Sequence, residues 1–302
     1  MYLAFNATQF IIKLIIRGKL KMKVKSFKVG MAAVCAIVGF SFSGMSGEEA
    51  HAAGDYYYNG MASNNEATAY PKAKKISNSV LDIHHISNTM NTKYKAVGRV
   101  SNKDGWKGLG KDSMGTGTVI GNYTFITNAH VIDNAKGSAA NPKYISFDMA
   151  RDGSKRPYTF HATKVVKVPN ADVALVYTKE KMSKYATPLK LASNSQINGL
   201  KYNTKLYSVG YPWQNGDNTK THWSSYRFIQ KSSNGTELQT KDKFRAGASG
   251  SPMVNGNYQI FGLRTYGYNI WANSTTNYAK AEMAGGEAMN GATGNFVRTH
   301  IK

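Results

Sequence analysis

Short runs of β-branched and aromatic residues, each bounded by Gly, Asn or Asp, follow one another along most of the chain. Residues 171–177, ADVALVY, and 258–268, YQIFGLRTYGY, are typical examples. Runs of this length between turn residues predict β-strands, and a series of them predicts a sandwich or a barrel. Further runs of the same kind cover 94–100, 115–129, 143–149, 162–168 and 204–211.

Helical periodicity is nearly missing from the same pattern. The terminal residues 295–302, NFVRTHIK, predict one short helix. The Gly- and Asn-rich stretch at 269–294 predicts a long loop. The polar stretch at 54–79 shows no clear period and is expected to form a propeptide or a flexible arm. The pattern as a whole is that of an all-β chain.

The first 53 residues differ in composition from the rest. The basic run MKVKSFK, which starts at Met22, precedes an uncharged apolar run that ends near Phe42, and a small-residue stretch follows. This order predicts a secretory signal peptide cut after Ala52 or Ala53, preceded by an over-long start upstream of Met22. The apolar run is too short to cross a membrane, although a membrane-anchored N-terminus stays open as the alternative. We expect a secreted, extracellular protein exported in the Gram-positive manner, with no stable membrane span after processing.

Cysteine content and charge restrict the chemistry further. Cys35 is the only cysteine and would leave with the apolar run, which would exclude disulfides, a thiol nucleophile and cysteine-bound metal. The 39 Lys and Arg outnumber the 17 Asp and Glu and give a net charge of +22. This excess favours an anionic cell-wall or host polymer as a partner, and a solvated basic surface is the simpler interpretation. The sequence has no Arg-rich helix or aromatic-basic motif that would indicate nucleic acid.

Three residues carry side chains suited to nucleophilic catalysis. His130 follows a strand directly in FITNAHVID, which would fix the orientation of its imidazole. Asp172 lies at the mouth of an apolar strand in PNADVALVY, where a buried carboxylate needs a donor such as an imidazole N–H. Ser249 lies in FRAGASGSPM between Gly247 and Gly250, which permit a tight turn with exposed N–H groups. Each residue alone has a structural interpretation, but together they supply a nucleophile, its base and an orienting acid.

The order of these residues in an all-β chain resembles the chymotrypsin-like serine proteases, whose motifs stand here as TNAHV, DVALV and GASGSP. Within that fold, the chain resembles most the Gram-positive glutamyl endopeptidase and exfoliative toxin group. The resemblance implies two six-stranded antiparallel barrels with the active site between them. Residues 80–302 would form this domain, with barrel one at about 80–185 and barrel two at about 186–302.

The resemblance also implies a mechanism. Ser249 would attack the peptide carbonyl, His130 would move the proton and Asp172 would fix the imidazole, while the N–H groups of Gly247 and Ser249 form an oxyanion hole. Ala248 stands where trypsin-type enzymes carry an Asp, so activation through an ion pair with a new N-terminus is not expected. We expect a protein or peptide substrate, no cofactor, no metal, no nucleic acid and a monomer.

Specificity is predicted from the same family pattern. Glutamyl endopeptidases hold the substrate carboxylate with residues whose positions are occupied here by Arg264 and Phe244. Arg264, assisted by Lys243, would bind an acidic P1 side chain, and Thr265 and Gly267 complete the expected substrate-binding set. Phe244 would otherwise narrow the pocket or line it for another residue.

Two other functions compete with the endopeptidase. One is a protease-like protein that binds a cell surface or host polymer while its site is idle. The other is an esterase or lipase, which the order of the three residues disfavours because those enzymes carry the serine on a strand-turn-helix of an α/β sheet.

Overall fold

The computed structural model describes residues 56–302, so the predicted start and signal peptide at 1–53 lie outside it. The strands of the described part are β1 (Asp82–His85), β2 (Val97–Asn102), β3 (Ser113–Val119), β4 (Thr124–Thr127), β5 (Ile145–Met149), β6 (Tyr158–Lys167), β7 (Ala174–Thr178), β8 (Lys205–Gly210), β9 (His222–Lys231), β10 (Glu237–Lys241), β11 (Pro252–Val254), β12 (Ile260–Gly267) and β13 (Met283–Ala288). The α-helices are α1 (Ser63–Lys74), α2 (Ala129–Ile132), α3 (Asn194–Asn198), α4 (Asn277–Lys280) and α5 (Gly291–His300). Short 3-10 turns cover Asn59–Met61, Asn78–Val80, Thr89–Asn91, Lys93–Ala96, Pro142–Tyr144 and Met182–Lys184.

Strands β2 to β7 close into an antiparallel barrel in the order β2-β3-β4-β7-β6-β5. Apolar residues of these strands fill the interior, as expected for a barrel of this size. The rings of Phe125 and Phe147 stack there with centroids 4.5 Å apart. Val100 and Leu175 are fully buried in the same core.

Strands β8 to β13 form the second barrel in the order β9-β10-β13-β12-β11-β8, closed by pairing of β8 with β9. Strand β1 adds to the free edge of β9 outside this ring, with Asp82 opposite Ser225. The predicted fold of two six-stranded antiparallel barrels is confirmed.

The prediction of one long loop at 269–294 is wrong, because barrel strand β13 and helix α4 lie within this range. Strand β13 reads MAGGEA and has no β-branched residue, so it carries no strand signal of its own. Close packing leaves no room for a side chain at its two glycines. A Cβ at Gly286 would lie 1.8 Å from the Leu263 carbonyl oxygen, and one at Gly285 would lie 2.4 Å from Tyr266 Oη. The helix predicted near the C-terminus is confirmed as α5.

The predicted propeptide or flexible arm, 54–79, contains helix α1 in its described part. The helix buries only small or polar side chains, Asn65, Ala69 and Ala73, which explains why the sequence shows no apolar stripe. It lies beside β9, where Lys72 Nζ donates a hydrogen bond to Gln230 Oε1 at 2.7 Å. Whether the segment is removed stays a prediction. Within 56–302, no helix has both the length and the apolarity that a membrane span requires.

Candidate active site

His130 and Asp172 meet as the sequence predicts. His130 lies in α2, one residue after Ala129 begins the helix at the end of β4. Its Nδ1 lies 2.5 Å from Asp172 Oδ2, and its backbone N–H donates to Asp172 Oδ1 at 2.8 Å. Because a carboxylate only accepts hydrogen bonds, Nδ1 carries the proton and Nε2 is left as the basic nitrogen.

Asp172 remains ionised although its side chain is fully buried. Burial by itself would raise the pKa of this carboxyl. The charge and the hydrogen bonds of His130, with a further bond from the Tyr58 hydroxyl, more than offset burial and hold the pKa of Asp172 below its ordinary value. The pair therefore supplies an oriented imidazole backed by a fixed negative charge.

Ser249 belongs to the same site. Its Oγ donates to the Thr265 carbonyl oxygen at 3.4 Å, and no hydrogen bond joins it to His130 in the described part of the chain. Asn128 connects the two sides, since its Nδ2 donates to the Asp172 carbonyl at 2.7 Å and to Thr265 Oγ1 at 3.0 Å. In proteases without substrate, the bond from nucleophile to base is often long and tightens on binding.

The turn around Ser249 presents two N–H groups. Gly247 and Gly250 have φ of +87° and +84°, which favours glycine at both positions. The Ala246 carbonyl accepts from Trp213 N–H at 2.6 Å, so the N–H of Gly247 points away from that contact. Among residues 56–302, the N–H groups of Gly247 and Ser249 donate to no acceptor and remain available to an oxyanion.

Thr116 holds this turn from the other barrel, a role that the sequence analysis missed. Its Oγ1 donates to the Gly247 carbonyl at 2.8 Å, and its N–H donates to the Ser249 carbonyl at 2.8 Å. These bonds supply the support that the side chain of Ala248 cannot give. Both atoms belong to the run GTGTV, which signals a strand and nothing more.

Arg264 lies in a different environment from the one expected. Its guanidinium is fully buried and binds Asp242 through two bonds, Nε to Oδ2 and Nη2 to Oδ1, each 2.8 Å long. Its Nη2 also donates to the Lys243 carbonyl at 3.2 Å. The rings of Tyr226 and Phe244 cover it, with centroids 5.3 and 5.4 Å from Cζ. The carboxylate that Arg264 binds in this structure is therefore Asp242 of the same chain.

Among the other predicted pocket residues, Thr265 contacts Ser249 and Phe244 packs against Gly267. Phe244 is 1% exposed, and a Cβ at Gly267 would stand 2.7 Å from its Cβ. Thr265 offers its carbonyl to Ser249 Oγ, while its own hydroxyl donates to the Leu263 carbonyl at 3.0 Å. Lys243 is half-buried. Phe244 thus packs directly against β12 at Gly267.

Two further buried carboxyls adjoin Asp172 and were not predicted. Glu287 Oε1 accepts from the Asp172 backbone N–H at 3.0 Å, and burial, with the charges of Asp172 and Glu237, raises the pKa of Glu287 to about 8. Burial also raises the pKa of Glu237, which accepts from Tyr266 Oη at 2.7 Å. The pKa values of both glutamates of this acid cluster are therefore raised, whereas that of Asp172 is lowered.

A cleft of about 300 Å³ opens beside His130 and gives it access to solvent. Its walls are Tyr56, Trp106, Asp133, Asn134, Ala135 and Gly137. The residues from 56 onward contain no group of three His, Cys, Asp or Glu side chains arranged to hold a metal ion.

A family model described as a trypsin-like peptidase domain matches residues 115–263, which include His130, Asp172 and Ser249. The chain contains a trypsin-like peptidase domain. The family is one of serine proteases, so the predicted resemblance to chymotrypsin-like enzymes is confirmed.

Solved structures of proteases share the fold of this trypsin-like domain. A glutamyl endopeptidase in complex with MPD is 19% identical, with a TM-score of 0.57 over 72% of this chain and 95% of its own. The protease Anisep from Arthrobacter nicotinovorans is 15% identical, with a TM-score of 0.53 over 72% of this chain and 98% of its own. HL collagenase is 14% identical, with a TM-score of 0.53 over 69% and 95%. At these identities the likeness concerns the fold.

Proposed function

We propose that this chain is a secreted serine endopeptidase that hydrolyses peptide bonds through Ser249, His130 and Asp172. The supporting observation is the buried, ionised Asp172 bound to His130 Nδ1. Ser249, on a glycine turn, is linked to the same pair through Thr265 and Asn128. Secretion rests on the signal-like composition of the first 53 residues. The trypsin-like family supports the serine protease chemistry.

The reaction begins with rotation of the Ser249 side chain away from the Thr265 carbonyl. Ser249 Oγ then attacks the substrate carbonyl carbon and its proton passes to His130 Nε2. Asp172 stabilises the resulting imidazolium, and the N–H groups of Gly247 and Ser249 bind the oxyanion, each contributing about 3 kcal/mol. His130 next protonates the leaving amine, and a water molecule repeats the sequence on the acyl enzyme.

The acidic P1 preference suggested by the sequence remains part of the proposal, and it requires a specific exchange. A substrate carboxylate would have to replace Asp242 on the Nε–Nη2 edge of Arg264, because Asp242 already accepts from both of those donors. Phe244 beside Gly267 favours a competing outcome, a narrow pocket that accepts small P1 side chains. Cleavage of a peptide library by the wild-type protein distinguishes the two, since glutamate or aspartate at P1 supports exchange and alanine or glycine supports a narrow pocket.

Labelling with a serine-directed fluorophosphonate tests the catalytic proposal. The wild-type protein should be labelled and Ser249→Ala should not. Ser251→Ala is the matched control, because it removes a buried hydroxyl from the same turn that has no partner in the described residues, and it should retain labelling. Absence of labelling in a folded, processed sample would instead support the polymer-binding protein with an idle site.

A further inference from the structure

Tyr58 reaches the catalytic carboxylate from outside the matched family segment. Its hydroxyl donates to Asp172 Oδ2 at 2.7 Å, the same oxygen that faces His130 Nδ1. The ring is buried and packs on Tyr266 with centroids 5.1 Å apart. Within residues 56–302, Tyr58 and His130 are the two side chains that donate to this carboxylate. Tyr58 is thus part of the immediate environment of Asp172.

In the described part of the chain, no other hydroxyl donates to the Asp172 carboxylate. Thr265 lies in the same site, but its Oγ1 donates to the Leu263 carbonyl and accepts from Asn128. A buried carboxylate that loses one of its donors is less well satisfied, and its orientation becomes less defined. The Tyr58 hydroxyl therefore supplies the Asp172 carboxylate with a hydrogen bond in addition to those from His130.

The segment that carries Tyr58 is seated on barrel two by specific contacts. The N–H of Gly60 donates to Glu237 Oε2 at 3.0 Å, and its carbonyl accepts from Gln239 Nε2 at 2.7 Å. A Cβ at Gly60 would stand 2.1 Å from Tyr266 Oη, so the backbone lies directly against the barrel. Further along, Asn65 Oδ1 accepts from Ser233 N–H at 2.8 Å. These bonds hold Tyr58 on the triad independently of the Tyr58 hydroxyl itself.

We propose that Tyr58 is a positioning residue for Asp172, and that the segment from Tyr56 to Lys74 is retained in the active enzyme instead of being discarded as a propeptide. The inference rests on the proposed protease function. Tyr58 acts through Asp172: it keeps the carboxylate charged and aligned with His130 Nδ1 while the imidazole gains and loses its proton. The N-terminus of the active protein must then lie at or before Tyr56.

The test compares Tyr58→Phe with Tyr57→Phe in the secreted protein. Both variants remove one tyrosine hydroxyl from the same segment, but Tyr57 is 76% exposed and does not line the cleft beside His130. Tyr58→Phe keeps the ring on Tyr266, so its thermal unfolding should stay close to that of the wild type. Its kcat should fall about 10- to 100-fold with KM little changed, because the lost bond supports proton transfer and not substrate binding. Tyr57→Phe should retain kcat within about twofold, as expected for an exposed hydroxyl.

The outcomes separate the two proposals. A wild-type protein that neither cleaves peptides nor reacts with fluorophosphonate ends the protease proposal itself. An active wild type with an unchanged kcat in Tyr58→Phe overturns the positioning role alone, and a higher kcat would show that the segment inhibits the site. N-terminal sequencing of the active protein is independent of whether any variant folds: a terminus at or before Tyr56 supports retention, and one beyond Tyr58 refutes it.

Discussion

Glu287→Gln should remove a pH dependence from the stability of the fold. Glu287 is 4% exposed, and its pKa rises from 4.5 to about 8, chiefly through burial. Between these two values the folded protein holds a proton that the unfolded chain releases, so the free energy of unfolding falls as pH rises. The stabilisation is complete below about pH 4.5 and is lost above about pH 8.

The size of the effect follows from the same pKa. Each pH unit between the unfolded and the folded pKa changes the free energy of unfolding by about 1.4 kcal/mol. About three such units lie between pH 5 and the folded pKa, so the free energy of unfolding of the wild type should fall by roughly 4 kcal/mol between about pH 5 and pH 9. Glutamine has the shape of the neutral acid and keeps the carbonyl oxygen that accepts from Asp172 N–H. The variant should therefore lack this loss.

Urea unfolding of both proteins at about pH 5, 7 and 9 measures the difference. The free energy of unfolding of the variant, relative to the wild type, should increase steadily toward pH 9. Glu180→Gln changes an exposed glutamate and should leave the pH dependence of the wild type in place. Parallel curves for wild type and Glu287→Gln would mean that Glu287 is ionised in the fold at neutral pH, and the assignment of charge within the acid cluster would be wrong.

Two further substitutions test the pocket and the turn. Arg264→Ala should lower the free energy of unfolding by about 3–5 kcal/mol in a denaturant titration, because it leaves Asp242 buried without its partner. The double variant Arg264→Met with Asp242→Leu should restore most of this loss. Wild-type stability in the single variant would contradict the buried pair. Gly250→Ala should abolish fluorophosphonate labelling, because its Cβ would lie 2.1 Å from the Thr116 carbonyl oxygen at a positive φ. Gly256→Ala, where a Cβ meets nothing within 4 Å, should label normally, and equal labelling of both variants would show that the turn tolerates a side chain.

The sequence predicts the parts of this fold that depend on local pattern. The run at 143–149 becomes β5 at Ile145–Met149 and the run at 204–211 becomes β8 at Lys205–Gly210, since alternating apolar residues between turn residues specify a strand without reference to its neighbours. The pairing of His130 with Asp172 is also accessible, because a carboxylate at the mouth of an apolar strand requires a donor. Strand β13 cannot be predicted from the sequence, because its glycines are required by the closeness of β12 and not by a local preference for a strand.

The partner of a buried charge is the part that the sequence conceals. Arg264 lies on β12 and Asp242 follows β10, 22 residues earlier. Considered alone in the sequence, each of these charged residues predicts a solvent-exposed or ligand-binding side chain. Tyr58 and Asp172 are 114 residues apart, and the stretch around Tyr58 has no period that would place it on a barrel. Long-range pairing of this kind depends on how distant segments pack together in the fold, which no local pattern encodes.

The acid cluster shows why such partners decide the chemistry. Three buried carboxyls lie together, and burial pushes the pKa of each one upward. Only Asp172 combines two donors from His130 with a third from Tyr58, and only its pKa falls below the ordinary value, whereas those of Glu237 and Glu287 rise. An imidazolium needs one adjacent anion, and the charge of His130 is the largest influence that lowers the pKa of Asp172. Contact with His130, more than the number of acids or donors, therefore determines which carboxylate supports it.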